Sequence, residues 1–414
     1  MSTILLAKIS ILMIELPDGI RPYQQAIDEK ETVSMAKLEL IATATFGLEA
    51  VVKREIQDLG YPILRSEDAK ITYIGNESAI VRSNLWLRCA DRVLLKMGEF
   101  RAETFEELFE QTKALSWEEW IPLDGKFVVN GTSVKSKLFS ISDCQKIIKK
   151  AIVERLKETY PIEHFAETGP LYSIKMTLLK DVVTLTIDTS GAGLHKRGYR
   201  AADVAAPIKE TLAAAMIKLS FWNPDRVLID PFCGSGTIPI EAAMIGKNIA
   251  PGLSRSFVSE SWPQISPELW KKERAEAFKA IRTDVNLRIY GSDIDGKAVS
   301  ASRVNAVQAG LSDDIVFRRL AFRQLELKED YSILITNPPY GERIGEKKEI
   351  AQIYKDMNRR MAENRTWSLY LITADKGFEK AMTCKPADRR RKLYNGRIET
   401  TYYQYYGERP PRKE

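Results

Sequence analysis

The sequence predicts an α/β protein: a Rossmann-like, doubly wound, mostly parallel sheet over residues 207–407, preceded by smaller α/β units over residues 35–190. Three observations carry this reading. From Pro207 onward, strand-length apolar runs alternate with helical patterns, the βα rhythm of a parallel sheet. Glycine- or proline-bearing turns close two of those strands, at Asp230–Thr237 and at Asn337–Tyr340. The chain has 414 residues, 44% hydrophobic and 29% charged, which is normal for a globular protein and too long for one ordinary core.

Residues 1–34 read as an upstream extension outside the fold. The stretch Ile4–Leu16 is apolar, but Lys8 is its only basic residue. No small-residue cleavage site precedes the polar stretch Asp18–Lys30, and the run is too short to span a bilayer. Residues 35–82 read as a ferredoxin-like unit. Leu38–Thr43 is a strand, and Leu48, Val51, Val52, Ile56 and Leu59 share one helical face closed by Gly60. Short strands at Ile71–Ile74 and Ala79–Arg82 complete it. Residues 83–190 form a second unit. Helices are expected over Leu85–Lys96, Phe105–Leu115 and Cys144–Lys157, the last with a Ser142…Gln145 capping box, and strands over Lys126–Asn130, Leu171–Leu178 and Val182–Asp188. The glycine-rich, basic residues 191–206 read as a linker.

In the last domain, helices are expected at Ile208–Leu219, Ile238–Ile245, Lys297–Ala309 and Ile350–Glu363. Strands are expected at Arg226–Ile229, Ile289–Ser292, Tyr331–Thr336 and Trp367–Thr373. A hairpin turning at Asn395-Gly396 closes the sheet. Pro251–Lys279, rich in Ser, Trp and charge, interrupts the alternation as an insertion. Residues 408–414 are a tail.

Charge is concentrated rather than spread. Residues 126–157 hold eight Lys or Arg against Asp143 and Glu154, an excess as large as the net +6 of the whole chain. Such a footprint fits a phosphate backbone, although a solvated helix face also produces it. A second cluster, Lys385, Arg389, Arg390, Arg391, Lys392 and Arg397 beside Tyr394, fits RNA contact or a charge-protected sheet edge equally well. The four cysteines are far apart and the only histidines are His164 and His195. No disulfide framework, zinc knuckle or other metal site is expected, and a reducing cytoplasm is the default.

Between a strand and a helix lies Asp230-Pro231-Phe232-Cys233-Gly234-Ser235-Gly236-Thr237. Gly234 and Gly236 permit a tight turn whose helix N-terminal amides face a ligand. No Lys-Ser/Thr follows, which argues against a triphosphate loop. Asp293, ending the next strand, can accept hydrogen bonds from ribose hydroxyls with Ile294 against an adenine face, while Asp295 reads as a helix N-cap. Asn337-Pro338-Pro339-Tyr340 follows a buried-strand run. Two prolines end the strand in a rigid turn that offers an amide and backbone carbonyls beside an aromatic face. That array suits a planar base with an exocyclic amine.

These three motifs, on successive strands, resemble class I S-adenosylmethionine-dependent methyltransferases of exocyclic amines. With His195–Arg200, the segment Ala206–Ala214 and Asn337–Arg343, the match resembles the RlmL-type, YpsC-like large-subunit ribosomal RNA guanine-N2 methyltransferase family over nearly all of Met35–Gly407. The resemblance implies a ferredoxin-like lead, a THUMP RNA-binding domain at residues 83–190 and S-adenosylmethionine as cofactor. It implies donor contacts from Asp230, Phe232, Cys233, Gly234, Ser235, Gly236, Thr237, Asp293 and Ile294, with Pro207 and Glu210 closing over the donor. Asn337, Pro338, Pro339 and Tyr340 become the catalytic residues. Lys135, Lys137, Lys146, Lys149, Lys150, His195, Lys196, Arg197 and Arg200 become RNA contacts, and ribosomal RNA the expected partner, with no membrane.

Two departures from the family pattern stand out. Where the family has an acid after the third core strand, Leu320–Gln324 offers only Gln324. Larger members carry a second methyltransferase module absent from this chain, so only the N2 activity is implied. Three rivals remain: a DNA adenine-N6 methyltransferase, a transfer-RNA guanine-N2 enzyme of the same domain plan, and a non-catalytic RNA-binding assembly factor. The intact tetrapeptide speaks against the last.

Overall fold

Seven strands of the amino-terminal half join a single sheet, so the two lead units expected from the sequence share one hydrogen-bonded frame. The computed structural model describes residues 37–202, 207–326, 329–339 and 344–411, without the side chains of 344–347. The expected extension, Tyr340 and the end of the tail lie outside them. Residues 39–414 form one compact unit.

The lead runs β1 (Leu38–Ala44), α1 (Glu49–Asp58), β2 (Ile63–Glu67), β3 (Lys70–Gly75), α2 (Glu77–Trp86), β4 (Ala90–Arg101), α3 (Phe105–Lys113), β5 (Lys126–Val134), α4 (Ile141–Thr159), β6 (Leu171–Leu179) and β7 (Val182–Asp188). The sheet order is β2-β3-β1-β4-β7-β6-β5. The 12-residue strand β4 pairs with β1 on one side and β7 on the other, which fuses the two units.

Three expectations fail here. Ala79–Arg82 is helix, because the Asn76 side chain caps the Ala79 amide and starts α2. The boundary expected at 82/83 therefore falls inside a helix. Leu85–Lys96 holds the end of α2 and the start of β4 rather than one helix. Val93, Leu94 and Leu95 are all buried because β4 lies at the middle of the sheet, and such a run has no periodicity to mark it. The Ser142…Gln145 box is also absent. Ser140 precedes α4, and its hydroxyl bonds Asp143 rather than a backbone amide.

The second half continues α5 (Glu210–Lys218), β8 (Leu228–Asp230), α6 (Thr237–Gly246), α7 (Pro267–Lys279), β9 (Ile289–Asp293), α8 (Gly296–Gln308), β10 (Ile315–Arg319), β11 (Ile333–Thr336), α9 (Ile344–Glu363), β12 (Ser368–Thr373), α10 (Phe378–Ala381), β13 (Arg389–Asn395) and β14 (Ile398–Tyr405). Its order is β10-β9-β8-β11-β12-β14-β13, parallel except around β14. The chain winds outward from β8 to β10 and then returns to β8's other side with β11. That reversal makes the β8/β11 boundary a topological switch point, where open α/β sheets bind ligands.

The Pro251–Lys279 insertion fastens the carboxy-terminal half to the lead. Trp262 is buried, stacks on Tyr172 with ring centroids 4.8 Å apart, and donates its indole N–H to the Leu171 carbonyl at 3.1 Å. Gln264 donates to the Trp120 carbonyl at 2.8 Å. The Gly252 amide reaches the Leu85 carbonyl at 2.9 Å, where a Cβ would stand 2.7 Å from the Asn84 carbonyl oxygen. No helix among the described residues is long and apolar enough to cross a membrane.

Candidate active site

Two corners meet at the switch point. β8 ends in Asp230 and β11 in Thr336, and the strands pair directly through Ile333 with Leu228 and Leu334 with Ile229. The Thr336 hydroxyl donates to the Asp230 carboxylate at 2.7 Å, so the last residue of one strand holds the last residue of the other. Beyond these two residues the chain enters the glycine loop on one side and Asn337-Pro338-Pro339 on the other. Asn337 is half-buried, Pro338 buried and Pro339 exposed. Asp230 is completely enclosed, and burial pushes its carboxyl up to about 7 against the opposing hydrogen bonds from Thr336 and the Phe232 amide.

The glycine loop is a cradle that larger residues would fill. Gly234 and Gly236 have φ of 52° and 83°. A Cβ on Gly236 would come within 2.9 Å of Ser302 and 3.0 Å of the Phe317 ring. One on Gly291 would meet that ring at 2.6 Å. Asp293, at the end of β9, accepts the Gly234 amide at 3.0 Å and so faces the same loop. Ile294 beside it is 69% exposed, an open apolar side chain next to the carboxylate. Asp295 caps α8 through the Lys297 amide, as expected. A backbone cradle at a helix N-terminus beside a carboxylate and an open apolar side chain fits a nucleoside-bearing donor. Phe232 leans on Phe322 at 5.6 Å and Cys233 is a buried thiol raised by burial, so both support the loop from behind. The Gln324 side chain turns back to the Ala321 amide.

The segment 195–200 corrects the sequence reading. Arg197, expected to contact RNA, is 3% exposed. It is clamped on both Glu241 carboxylate oxygens (3.1 and 3.3 Å) and on the Leu194 and Arg88 carbonyls. A guanidinium so enclosed has no N–H directed at solvent, and it ties α6 to the lead. Arg200 also turns inward. It bonds Glu210 at 2.8 Å, Ser235 at 3.1 Å and Thr237 at 3.0 Å, so it braces the glycine loop against α5 instead of meeting a phosphate. Glu210 is buried in that pair, and Pro207 is exposed just before it. His195 is half-buried, with burial lowering its pKa, whereas Lys196 remains exposed.

The lead lysines do reach solvent. Lys135, Lys137, Lys146, Lys149 and Lys150 are all exposed. Lys137 pairs with Glu103, Lys146 with Asp143 and Lys149 with Glu167. Sequence reading missed Phe139, which sits between them at 83% exposure. Its only signal was an aromatic close behind Lys135 and Lys137 in the chain. The second basic cluster lies largely on edge strand β13, where Arg390 pairs with Glu379 and Lys392 with Glu399.

Comparison with known proteins agrees with this geometry. Residues 39–94 match the RlmL ferredoxin-like domain, 102–188 the THUMP domain and 197–404 the RMKL-like methyltransferase domain. The chain is 50% identical over 383 residues to "Putative RNA methyltransferase YpsC" of Bacillus subtilis, which spans 92% of this chain and 99% of that protein. A Listeria monocytogenes structure, described as a predicted N6-adenine-specific DNA methylase, is 49% identical with a TM-score of 0.86, covering 90% of this chain and 97% of that one. The structure described as "SMU.472, a putative methyltransferase complexed with SAH" is 43% identical with a TM-score of 0.86 and coverage of 91% and 99%. The chain therefore belongs to the RMKL-like family of S-adenosylmethionine-dependent methyltransferases, in the form that carries an RlmL-type ferredoxin-like domain and a THUMP domain.

Proposed function

We propose that the protein methylates the exocyclic N2 amine of a guanosine in 23S ribosomal RNA. The observation that carries this is the Thr336–Asp230 hydrogen bond, which sets the glycine loop and the Asn337-Pro338 turn side by side at one end of the sheet. S-adenosylmethionine supplies an electrophilic methyl group. The Gly234–Thr237 backbone with Asp293 and Ile294 would hold it. A guanine N2 amine is a weak nucleophile because its lone pair is delocalised into the ring. The Asn337 side-chain oxygen and the Pro338 carbonyl would accept hydrogen bonds from its two N–H groups, drawing the nitrogen towards tetrahedral geometry and freeing the lone pair. As the methyl passes from sulfur to nitrogen, S-adenosylhomocysteine leaves and one amine proton goes to solvent. Positioning of this kind contributes about 7–11 kcal/mol without a strong base. Tyr340, outside the described residues, is the aromatic that the family resemblance assigns to stacking on the extruded base. Extrusion costs a few kcal/mol, offset by phosphate contacts from Lys135, Lys137, Lys146, Lys149, Lys150 and Lys196, with Phe139 as a stacking surface.

The THUMP and RlmL-type lead domains favour RNA over DNA, and the RlmL-type lead favours large-subunit RNA over transfer RNA. The name given to YpsC supports an RNA substrate, and that given to the Listeria protein points to adenine in DNA. Nucleoside mass spectrometry decides among them. A strain lacking the protein should lose one N2-methylguanosine from 23S RNA and no modified base from transfer RNA or DNA. Complementation with Asn337→Ala should leave that site unmethylated, while the purified variant binds donor and RNA normally. Restored methylation would remove Asn337 from the chemistry.

A further inference from the structure

Beside the Asn337-Pro338 corner, on the side away from the glycine loop, lies a groove of ≈ 830 Å³ between α9 and the turn that leaves β12. Strand order fixes its place. β9, β8, β11 and β12 are successive parallel neighbours, so Asp293, the glycine loop, Asn337 and Ala374 leave the sheet along one rim. Adjacent strands are about 4.8 Å apart, which puts the β12 exit roughly one strand spacing beyond the proposed amine corner.

The groove has two chemical zones. Its floor is apolar: Ile350 and Tyr354, one turn apart on α9, are 4% and 3% exposed, with the exposed Ala351 at its edge. Its rim carries Lys355 and Lys376, both exposed. Among the described residues neither pairs with a carboxylate within 4.0 Å, unlike Lys137, Lys146 and Lys149 of the lead. The rim acid Asp375 accepts the Gly377 amide at 2.7 Å, so the rim holds two cations against one carboxylate. A flat apolar floor under two available cations is complementary to a base with its flanking phosphates. The volume falls within the usual range of about 300–1,000 Å³ for small-molecule clefts.

We propose that this groove takes the nucleotide adjacent to the target guanosine in the same RNA strand, and so sets the sequence context of methylation. The inference rests on the RNA methyltransferase reading above. When a base is extruded its neighbour loses a stacking partner, and the groove gives that neighbour a surface one strand spacing away. Lys355 and Lys376 hold the phosphates on either side of it.

The test uses the full chain and a labelled, short single-stranded RNA of random sequence, with binding and methyl incorporation measured in parallel. Ala351→Trp fills the groove from an exposed helix position and should weaken RNA binding about tenfold while donor affinity is unchanged. Lys355→Ala/Lys376→Ala should reduce the slope of log affinity against log salt by about 1.4, the value for two single-strand phosphate contacts. Wild-type affinity and slope in both variants would overturn the proposal whatever the methylation result, as would RNA binding unchanged alongside loss of a co-purifying protein. Groove-dependent binding by a wild type that methylates no guanosine would keep the groove assignment and remove the guanosine reading instead.

Discussion

Asp230 is the residue whose environment most exceeds what its sequence position announces. A carboxyl held at about 7 is neutral at mild acid and ionised at mild alkali. If the donor sits in the glycine loop as proposed, an ionised Asp230 would attract its sulfonium and a neutral one would not, so donor affinity should rise between pH 6 and pH 8. Titration calorimetry on wild type and Asp230→Asn checks this, and the variant should show no such rise. The stability sign runs the other way. The folded-state value lies above the ordinary carboxylate range of about 3.9. The contribution is therefore present below pH 4 and lost as pH climbs through 7, and Asp230→Asn should escape that decline. Arg197 shows the opposite limit. Its charge is visible in the sequence but its burial is not, because enclosure depends on Glu241 and the Arg88 carbonyl, which are remote in the chain.

At the scale of elements, what was legible had local backbone demands. The glycine loop, the double proline and the Asn395-Gly396 hairpin all require particular backbone angles or forbid hydrogen bonding, and all three stand where expected. What was illegible depended on neighbours. Ala79–Val81 could be strand or helix until Asn76 capped it, and three consecutive buried residues in β4 carry no period. The α9–β12 groove has no motif, since its floor comes from helix positions that look like ordinary core. The glycine loop also yields a quantitative expectation. Gly236→Ala forces a side chain into the left-handed region at about 1–2 kcal/mol and against Ser302 and Phe317 at 2.9 and 3.0 Å. Thermal unfolding should register about 2–4 kcal/mol of destabilisation, and donor binding should weaken with it.

For the whole molecule, the insertion accounts for the union of lead and catalytic halves. Trp262 is enclosed by Tyr172 and Trp120 of the lead, so it is core to both halves at once. Trp262→Ala should cost about 3–5 kcal/mol and separate one denaturation transition into two, followed by calorimetry. Retention of a single transition at unchanged midpoint would show that Arg197 and Gly252 suffice to couple the halves.

The same fastening has a bearing on how a substrate is chosen. Trp262, Gln264 and Arg197 tie the halves together, so under the proposed function the span from Phe139 to Asn337 would act as a caliper. On the proposed reading, an RNA held near Phe139 would present its target base at Asn337 only if its fold bridges that length, so lengthening or shortening the intervening stem should silence a target whose local sequence is untouched.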